Sequence, residues 1–314
     1  MMPMLVRRLG FLVLTLLITS LIIFSVTQLL PGDVARVILG REAGEESLRA
    51  LRLELGLNDS PITQYLRWGA KFVIGDWGTS FSTRQTVFSV VVQRLRNSLM
   101  LAGVILIFSV PLAILLGVVA GIKQETWIDH IISISSLAVV GLPEFLTGLV
   151  LIELLAFQFK FFPANSSIRV DAGFWESLPM LILPALTATL VLLAYIARLT
   201  RAGVIEELKQ PYVRTAVLKG LTWGEVMFKH VLRNALMPTV TVIAISFGWM
   251  LSGLIVVENV FNYPGLGRLL VFAIDRRDLP LLQAIGMVTV LGYTLANLAA
   301  DLLYAVLNPR IRLQ

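Results

Sequence analysis

Few side chains in this 314-residue chain are suited to chemistry, and none is spaced for catalysis. There is no cysteine, which excludes thiolate nucleophiles, disulfides, iron–sulfur clusters and thiolate metal sites. The only histidines, His130 and His230, are about a hundred positions apart, so no His-rich metal cage is expected. No G-x-x-x-x-G-K-[ST] loop occurs, so the chain has no visible means of holding ATP. What remains are carboxylates in apolar surroundings. Glu144 lies in Gly141-Leu142-Pro143-Glu144-Phe145, midway along a long apolar run. A carboxylate at such depth costs about 2.5–3.5 kcal/mol on insertion scales, so it faces a cavity or a partner. Pro143, Glu144 and Phe145 are therefore candidates for a pathway that meets an amine or another cation; the alternative is a hydrogen-bonded structural acid, or one at the interface because the helix is offset. Glu153, Glu258 and Asp301 lie nearer the ends of apolar runs and suit structural or snorkelling roles.

A second segment with its own logic is Glu206–Pro238. Pro211 suits a first helical residue, Tyr212–Lys219 is long enough for two turns, and Gly220 can end them in the left-handed region. Thr222-Trp223-Gly224-Glu225 matches a capping box and starts another helix, which carries Val226, Phe228, Val231 and Leu232 toward the next apolar run. The expected product is a short helix held crosswise by a glycine hinge. It is either an amphipathic connector or a handle for another protein.

The elements that must position these groups are membrane spans. Hydrophobic residues make up 57% of the chain and charged ones 15%, and the mean hydropathy is +0.83. A soluble domain is about 25% charged, so a water-soluble or disordered chain is excluded. Six runs are long enough to cross a bilayer: Leu9–Leu30, Ser98–Ile122, Ile131–Phe159, Ser177–Ala197, Asn234–Val257 and Leu279–Ala300. The first reads as a retained anchor, because it is longer than the apolar core of a signal peptide. Prolines 111, 143, 184 and 238 permit kinks, and the pairs Gly117/Gly121 and Gly248/Gly253 permit close helix approach.

Six spans put both termini on one side. That side carries 12 of the 26 basic residues, while the short loops opposite carry 5 and the 67-residue segment Pro31–Asn97 carries 9. Basic residues concentrate in short cytoplasmic loops, so the termini and the 200–233 loop are expected inside and residues 31–97 outside. The net charge of +6 follows from these flanks, and nucleic acid is not implied. Within residues 31–97, Glu45–Leu55 reads as an amphipathic helix. Asn58-Asp59-Ser60-Pro61 reads as turn, cap and helix start, followed by Ile62, Tyr65, Leu66, Trp68 and Phe72 at helical spacing, and Gly75-Asp76-Trp77-Gly78 as a turn. The expected product is a small helical cap, or a docking surface for an external partner.

Tyr212-Val-Arg-Thr-Ala-Val-Leu-Lys-Gly220, followed by His230-Val-Leu-Arg-Asn-Ala-Leu-Met-Pro238, resembles the coupling loop of permease subunits in ATP-binding-cassette (ABC) importers. The family signature is E-A-A-x3-G-x9-I-x-L-P. Here Arg214-Thr215-Ala216 stands where E-A-A would be, and His230, Leu232 and Arg233 stand where I, L and P would be; Ala216 and Leu232 match, and the other differences are typical of the dipeptide/oligopeptide/nickel branch. The resemblance extends through Leu30-Pro31-Gly32-Asp33, Leu55-Gly56-Leu57, Gly75–Ser80, Glu258–Gly267 and Asp301 to Arg312. It implies an all-α integral membrane protein with the type I importer permease fold and a helical insertion between spans 1 and 2. The implied organisation is an N-terminus and first span at 1–30, an external cap at 31–97, a core at 98–308 with the coupling loop 200–233, and a cytoplasmic tail at 309–314.

The resemblance further implies residence in a bacterial or archaeal inner membrane and contact with lipid. The implied partners are a second homologous permease, two cytosolic ATPases that hold ATP and magnesium, and an external solute-binding protein; no cofactor is expected in this chain, and it is not expected to be an enzyme. Coupling would run through the 208–220 helix, with Tyr212, Val213, Arg214, Thr215, Ala216, Lys219 and Gly220 at the contact. The implied cargo is a peptide, with nickel chelates, opines or oligosaccharides as alternatives. The rival class is a self-contained secondary transporter or intramembrane hydrolase. No internal repeat and no paired in-membrane nucleophile and base support it.

Overall fold

A computed structural model describes residues 2–29, 34–40, 43–54, 56–169 and 173–307. Residues 30–33, Leu55 and the motif at 308–312 lie outside them. The elements in order are α1 (Met2–Leu29), α2 (Val34–Leu39), α3 (Glu45–Glu54), α4 (Pro61–Val73), α5 (Val87–Ile122), α6 (Trp127–Gly141) and α7 (Glu144–Leu151), which runs into a π-helical turn, Ile152–Gln158. Then come α8 (Phe174–Leu208), α9 (Pro211–Leu218), α10 (Trp223–Glu225), a second π turn (Val226–Val231), α11 (Leu232–Ala235), α12 (Met237–Gly253), α13 (Ile255–Val260), α14 (Leu266–Asp275) and α15 (Leu279–Leu307). Extended pairing among the described residues is limited to an isolated bridge, Thr79–Thr86.

The protein is an all-α, multi-pass membrane protein. Among the described residues, four helices are long and apolar enough to cross a bilayer, within α1, α5, α8 and α15, and there are up to six spans if each of two bent pairs is one. Backbone polar groups have no water partner in lipid, so each span must satisfy them along its own axis. The bent pairs differ from the uninterrupted runs expected from hydropathy. Trp223–Ala235 meets Met237–Met250 at 48°, beside Pro238. Trp127–Gly141 meets Glu144–Gln158 at 104°. The cause of the second is local. Proline pushes the residue before it out of the helical region, and Leu142 accordingly sits at φ −88°, ψ 136°. Pro143 lacks an N–H and serves as the N-cap residue of a new helix that begins at Glu144.

The chain divides into two compact units, 1–97 with 265–294, and 98–264 with 295–314. In the first unit, the start of α5 (Val87, Val90, Val91) packs with Leu266, Leu269 and Ala273 of α14 and Leu281, Ala284 and Ile285 of α15. The fully buried Asp278 caps α15 and accepts hydrogen bonds from Ser80 Oγ (2.6 Å) and the Ser82 amide (2.9 Å). Gln283 Nε2 donates to Thr27 Oγ1 of α1 at 2.8 Å. Ser60 caps α4, with Pro61 in its first turn, as the sequence predicts.

In the second unit, α8 is the central helix; α6, α7, α11, α12 and α13 all pack on it. Its core holds Leu101 and Ile105 of α5, Leu181 and Ile196 of α8, and Met250, Phe261 and Tyr263. Glycines bring backbones into contact at three places. A Cβ on Gly117 would lie 2.6 Å from the Ala197 carbonyl oxygen, and one on Gly121 would lie 2.7 Å from Val204 Cβ. One on Gly203 would lie 2.5 Å from the Ala235 carbonyl oxygen, where α8 meets α11.

Gly203→Ala must therefore move one helix backbone off another. Overpacking of this kind costs about 1–3 kcal/mol. A Cβ at Gly103 meets no atom within 4 Å, and Ala is the better helix former. Thermal unfolding of the purified chain in detergent should show a lowered midpoint for Gly203→Ala and an unchanged or raised one for Gly103→Ala.

Candidate functional site

The segment after α8 folds as its sequence predicts. Pro211 opens α9, and Gln210 precedes it with extended backbone. The helix closes in a Schellman motif: the Leu221 amide donates to Ala216 O (3.4 Å) and the Gly220 amide to Val217 O (3.0 Å). Gly220 has φ +80°, the left-handed conformation such a closure needs, and no atom lies within 4 Å of where its Cβ would stand. Both bonds of the capping box are present, with the Glu225 amide donating to Thr222 Oγ1 and the Thr222 amide to the Glu225 carboxylate.

One face of α9 is buried. Val213 and Ala216 enter a small apolar core with Val204 of α8 and Val226, Met227, Val231 and Ala235 of the following segment. Tyr212 closes its edge. Its hydroxyl donates to Glu207 and accepts from Asn234 Nδ2 at 3.1 Å. Burial, and then the Glu207 carboxylate, push the Tyr212 phenol above its ordinary pKa, so it stays a protonated donor. The other face, with Arg214, Thr215, Val217, Leu218 and Lys219, is exposed. The structure corrects one expectation. Phe228 is 77% exposed instead of facing the fifth span. In the π turn each amide reaches five residues back, so Val226 and Val231 stack inward and Phe228 projects away. Leu218 and Trp223 are exposed as well.

A polar clamp that the sequence reading missed sits one turn before Val204. Arg201 of α8 grips Asp129 of α6 in a bidentate pair, Nε to Oδ1 at 2.5 Å and Nη2 to Oδ2 at 2.7 Å. Asp129 is 2% exposed and also accepts from the Glu125 amide (3.0 Å) and Ser133 Oγ (3.1 Å). Thr126 makes no side-chain cap on α6, and Asp129 reaches a partner 72 residues away.

Glu144 is the first residue of α7, just past the 104° bend. A carboxylate there complements the positive end of the helix dipole. It is half-buried, and no hydrogen bond or ion pair joins it to another described residue, while Pro143 and Phe145 beside it are exposed. Glu258 is the better-satisfied acid. It is 1% exposed and accepts from Ser98 Oγ at 2.6 Å. Tyr212, Val213 and Ala216 are thus brought together with Glu207 and Asn234, while Gly220 lies in open space at the end of α9 and Glu144 stands apart from this cluster.

Residues 113–313 match the family described as binding-protein-dependent transport system inner membrane component, and residues 1–102 match its N-terminal membrane component. The chain is 36% identical over 307 residues to a protein of Sinorhizobium fredii named probable peptide ABC transporter permease protein y4tP, with 98% of each chain covered. It is 36% identical over 312 residues to the glutathione transport system permease protein GsiC of Escherichia coli K12, with 99% of each covered.

Removing Arg201 leaves the Asp129 carboxylate buried with one charged partner fewer. An unsatisfied buried polar group costs about 1–3 kcal/mol, more when charged. Arg201→Gln should lower the unfolding midpoint of the detergent-solubilised chain, and adding Asp129→Asn should recover part of the loss. A double-mutant cycle with no coupling between the two would show that the clamp is not formed.

Proposed function

Because the chain belongs to the family of binding-protein-dependent transport system inner-membrane components, we propose that it forms half of the translocation pathway of an ATP-driven importer and that its cargo is a peptide. It is a permease subunit of an ABC importer, a transport component of the inner membrane. The peptide assignment is supported by the names of its relatives, one a peptide permease and the other a permease for glutathione, itself a peptide. A second, homologous permease completes the pathway, an external solute-binding protein delivers the cargo, and two cytosolic ATPases hold ATP and magnesium. The charge distribution supports an inside location for the termini and the 200–233 loop.

The observation that carries the coupling reading is α9. It is a two-turn helix opened by Pro211, closed by the Schellman motif at Gly220 and seated by Val213 and Ala216, with Arg214, Val217, Leu218 and Lys219 left outward. That is what a grip point needs: an outer face free to meet an ATPase and an inner face that cannot slip. Displacement of α9 passes to Val204 and thence to α8. The Gly117 and Gly121 contacts and the Arg201–Asp129 clamp pass it on to α5 and α6. Packed helices shift as bodies between discrete arrangements, so ATP-driven closure of the partners biases the spans between inward and outward access.

Glu144, with Pro143 and Phe145, belongs to the pathway in this reading. Its carboxylate has no partner among the described residues and sits beside a bend, where a peptide amine can meet it.

Gly220→Val forces a β-branched residue to φ +80° at a cost of about 1–3 kcal/mol, while Asn tolerates that region. Open space around Gly220 removes any steric complication. In the assembled importer, Gly220→Val should abolish uptake and binding-protein-stimulated ATP hydrolysis with normal membrane abundance, and Gly220→Asn should retain both. Full stimulated turnover in Gly220→Val would reduce the segment to a connector.

Glu144→Gln should raise the KM for peptides with a free amine by about tenfold, equivalent to ~1.4 kcal/mol. N-acetylated peptides should be unaffected. Equal KM changes for both would return Glu144 to a structural role.

A further inference from the structure

We propose that α4 is a second kind of membrane helix in this protein, one that does not span but lies along the membrane–water boundary beside the C-terminal end of α1, with its outer edge seated in lipid.

At 100° per residue, α4 has three faces. Tyr65, Trp68 and Phe72 share one. Ile62, Leu66, Gly69 and Val73 form an adjoining stripe. Thr63, Gln64, Arg67 and Lys71 lie opposite. The aromatic face is occupied. Phe24 of α1 meets Tyr65 (centroids 5.5 Å) and Trp68 (5.8 Å), and the series continues through Phe72 and Trp77 to Phe88 of α5. Tyr65 Oη and Ser20 Oγ are hydrogen-bonded at 2.8 Å, and Gln28 Nε2 donates to Gln64 at 2.9 Å. The polar face is satisfied locally, with Arg67 paired to Asp59 at 2.6 Å and Lys71 facing Asp76 at 3.9 Å. The apolar stripe has no cover: Ile62 is 72% exposed, Leu66 63% and Val73 86%, and α4 has no buried residue.

The depth of the contact decides what covers that stripe. Phe24 precedes Leu30, where the apolar run gives way to Pro31-Gly32-Asp33 in sequence, by six positions, about 9 Å at 1.5 Å per residue. Helices lying in the interface bury their apolar face about 5–10 Å into the boundary between headgroups and acyl chains. At the same level α1 itself exposes Leu21, Ile22 and Val26, which a spanning helix can only present to lipid or to another span. The uncovered stripe is therefore level with a surface that is already apolar on its outside, while the paired Arg67 and Lys71 keep the opposite face polar. A delivery protein must leave in each cycle and would return three large apolar side chains to water; lipid is the occupant that is always present. The inference rests neither on the cargo nor on the coupling role of α9.

The chain lacks cysteine, so single cysteines at 63, 66, 71 and 73, all exposed positions, can carry a nitroxide without a background. The probe is the full-length chain in liposomes of phosphatidylethanolamine and phosphatidylglycerol, with collision rates measured against oxygen and a water-soluble nickel chelate. Labels at 66 and 73 should favour oxygen over nickel several-fold more than labels at 63 and 71. In native membrane vesicles, an impermeant maleimide should react with cysteine at 71 but not at 66. Free access of nickel and maleimide to 66 and 73 would overturn the proposal in favour of a water-exposed face. Low collision with both reagents would overturn it in favour of a protein neighbour. Loss of an existing nickel collision on adding the binding protein would overturn it in favour of docking.

Discussion

The second unit depends on how closely other backbones approach α8. Helices already in lipid gain little from hiding apolar side chains from one another, so association rests on van der Waals contact and interhelical hydrogen bonds. Both are concentrated on the last third of α8. Gly117 and Gly121 of α5 admit Ala197, Thr200 and Val204, Gly203 admits the Ala235 carbonyl, and Arg201 closes on Asp129 of α6. These contacts alternate along two turns of one helix. Anything attached to that stretch is thereby tied to three other helices.

What is attached there is α9. Its anchoring residues Val213 and Ala216 share a core with Val204 of α8. Its C-terminal end is closed by the Schellman motif at Gly220, and the capping box at Thr222 starts the next helix; neither needs tertiary support. A short helix of two turns is unstable alone. Here its end is set by local hydrogen bonds and its position by burial, which divides the work between local and tertiary forces.

Interrupted helices supply the polar groups that continuous ones cannot. The bend at Leu142-Pro143 ends one helix and starts another, and Glu144 occupies the new amino terminus, where a carboxylate is least costly. The first unit meets the same constraint with aromatic rings. Its series from Phe24 to Phe88 is apolar enough for the edge of a bilayer, while the Tyr65 hydroxyl and Trp77 Nε1 both find acceptors or donors.

Much of this was legible in the chain. The apolar runs announced the spans, Ser60-Pro61 the start of α4, and Pro211, Gly220 and Thr222–Glu225 the limits of α9, because caps and glycine closures are set by residues within a few positions of each other. Hydropathy could not reveal that the third run folds back by 104°, since a proline in an apolar run is compatible with anything from a slight kink to a full break, and neighbouring helices decide. Nor could it turn Phe228 outward, which required the wider winding of a π turn. Asp129 shows the limit most plainly. Its carboxylate accepts the nearby Glu125 amide, but it is also gripped by Arg201, 72 residues on. Short-range hydrogen bonding is written in adjacent residue types; a long-range ion pair exists only once packing has brought two helices together and excluded the water that would otherwise serve each charge alone.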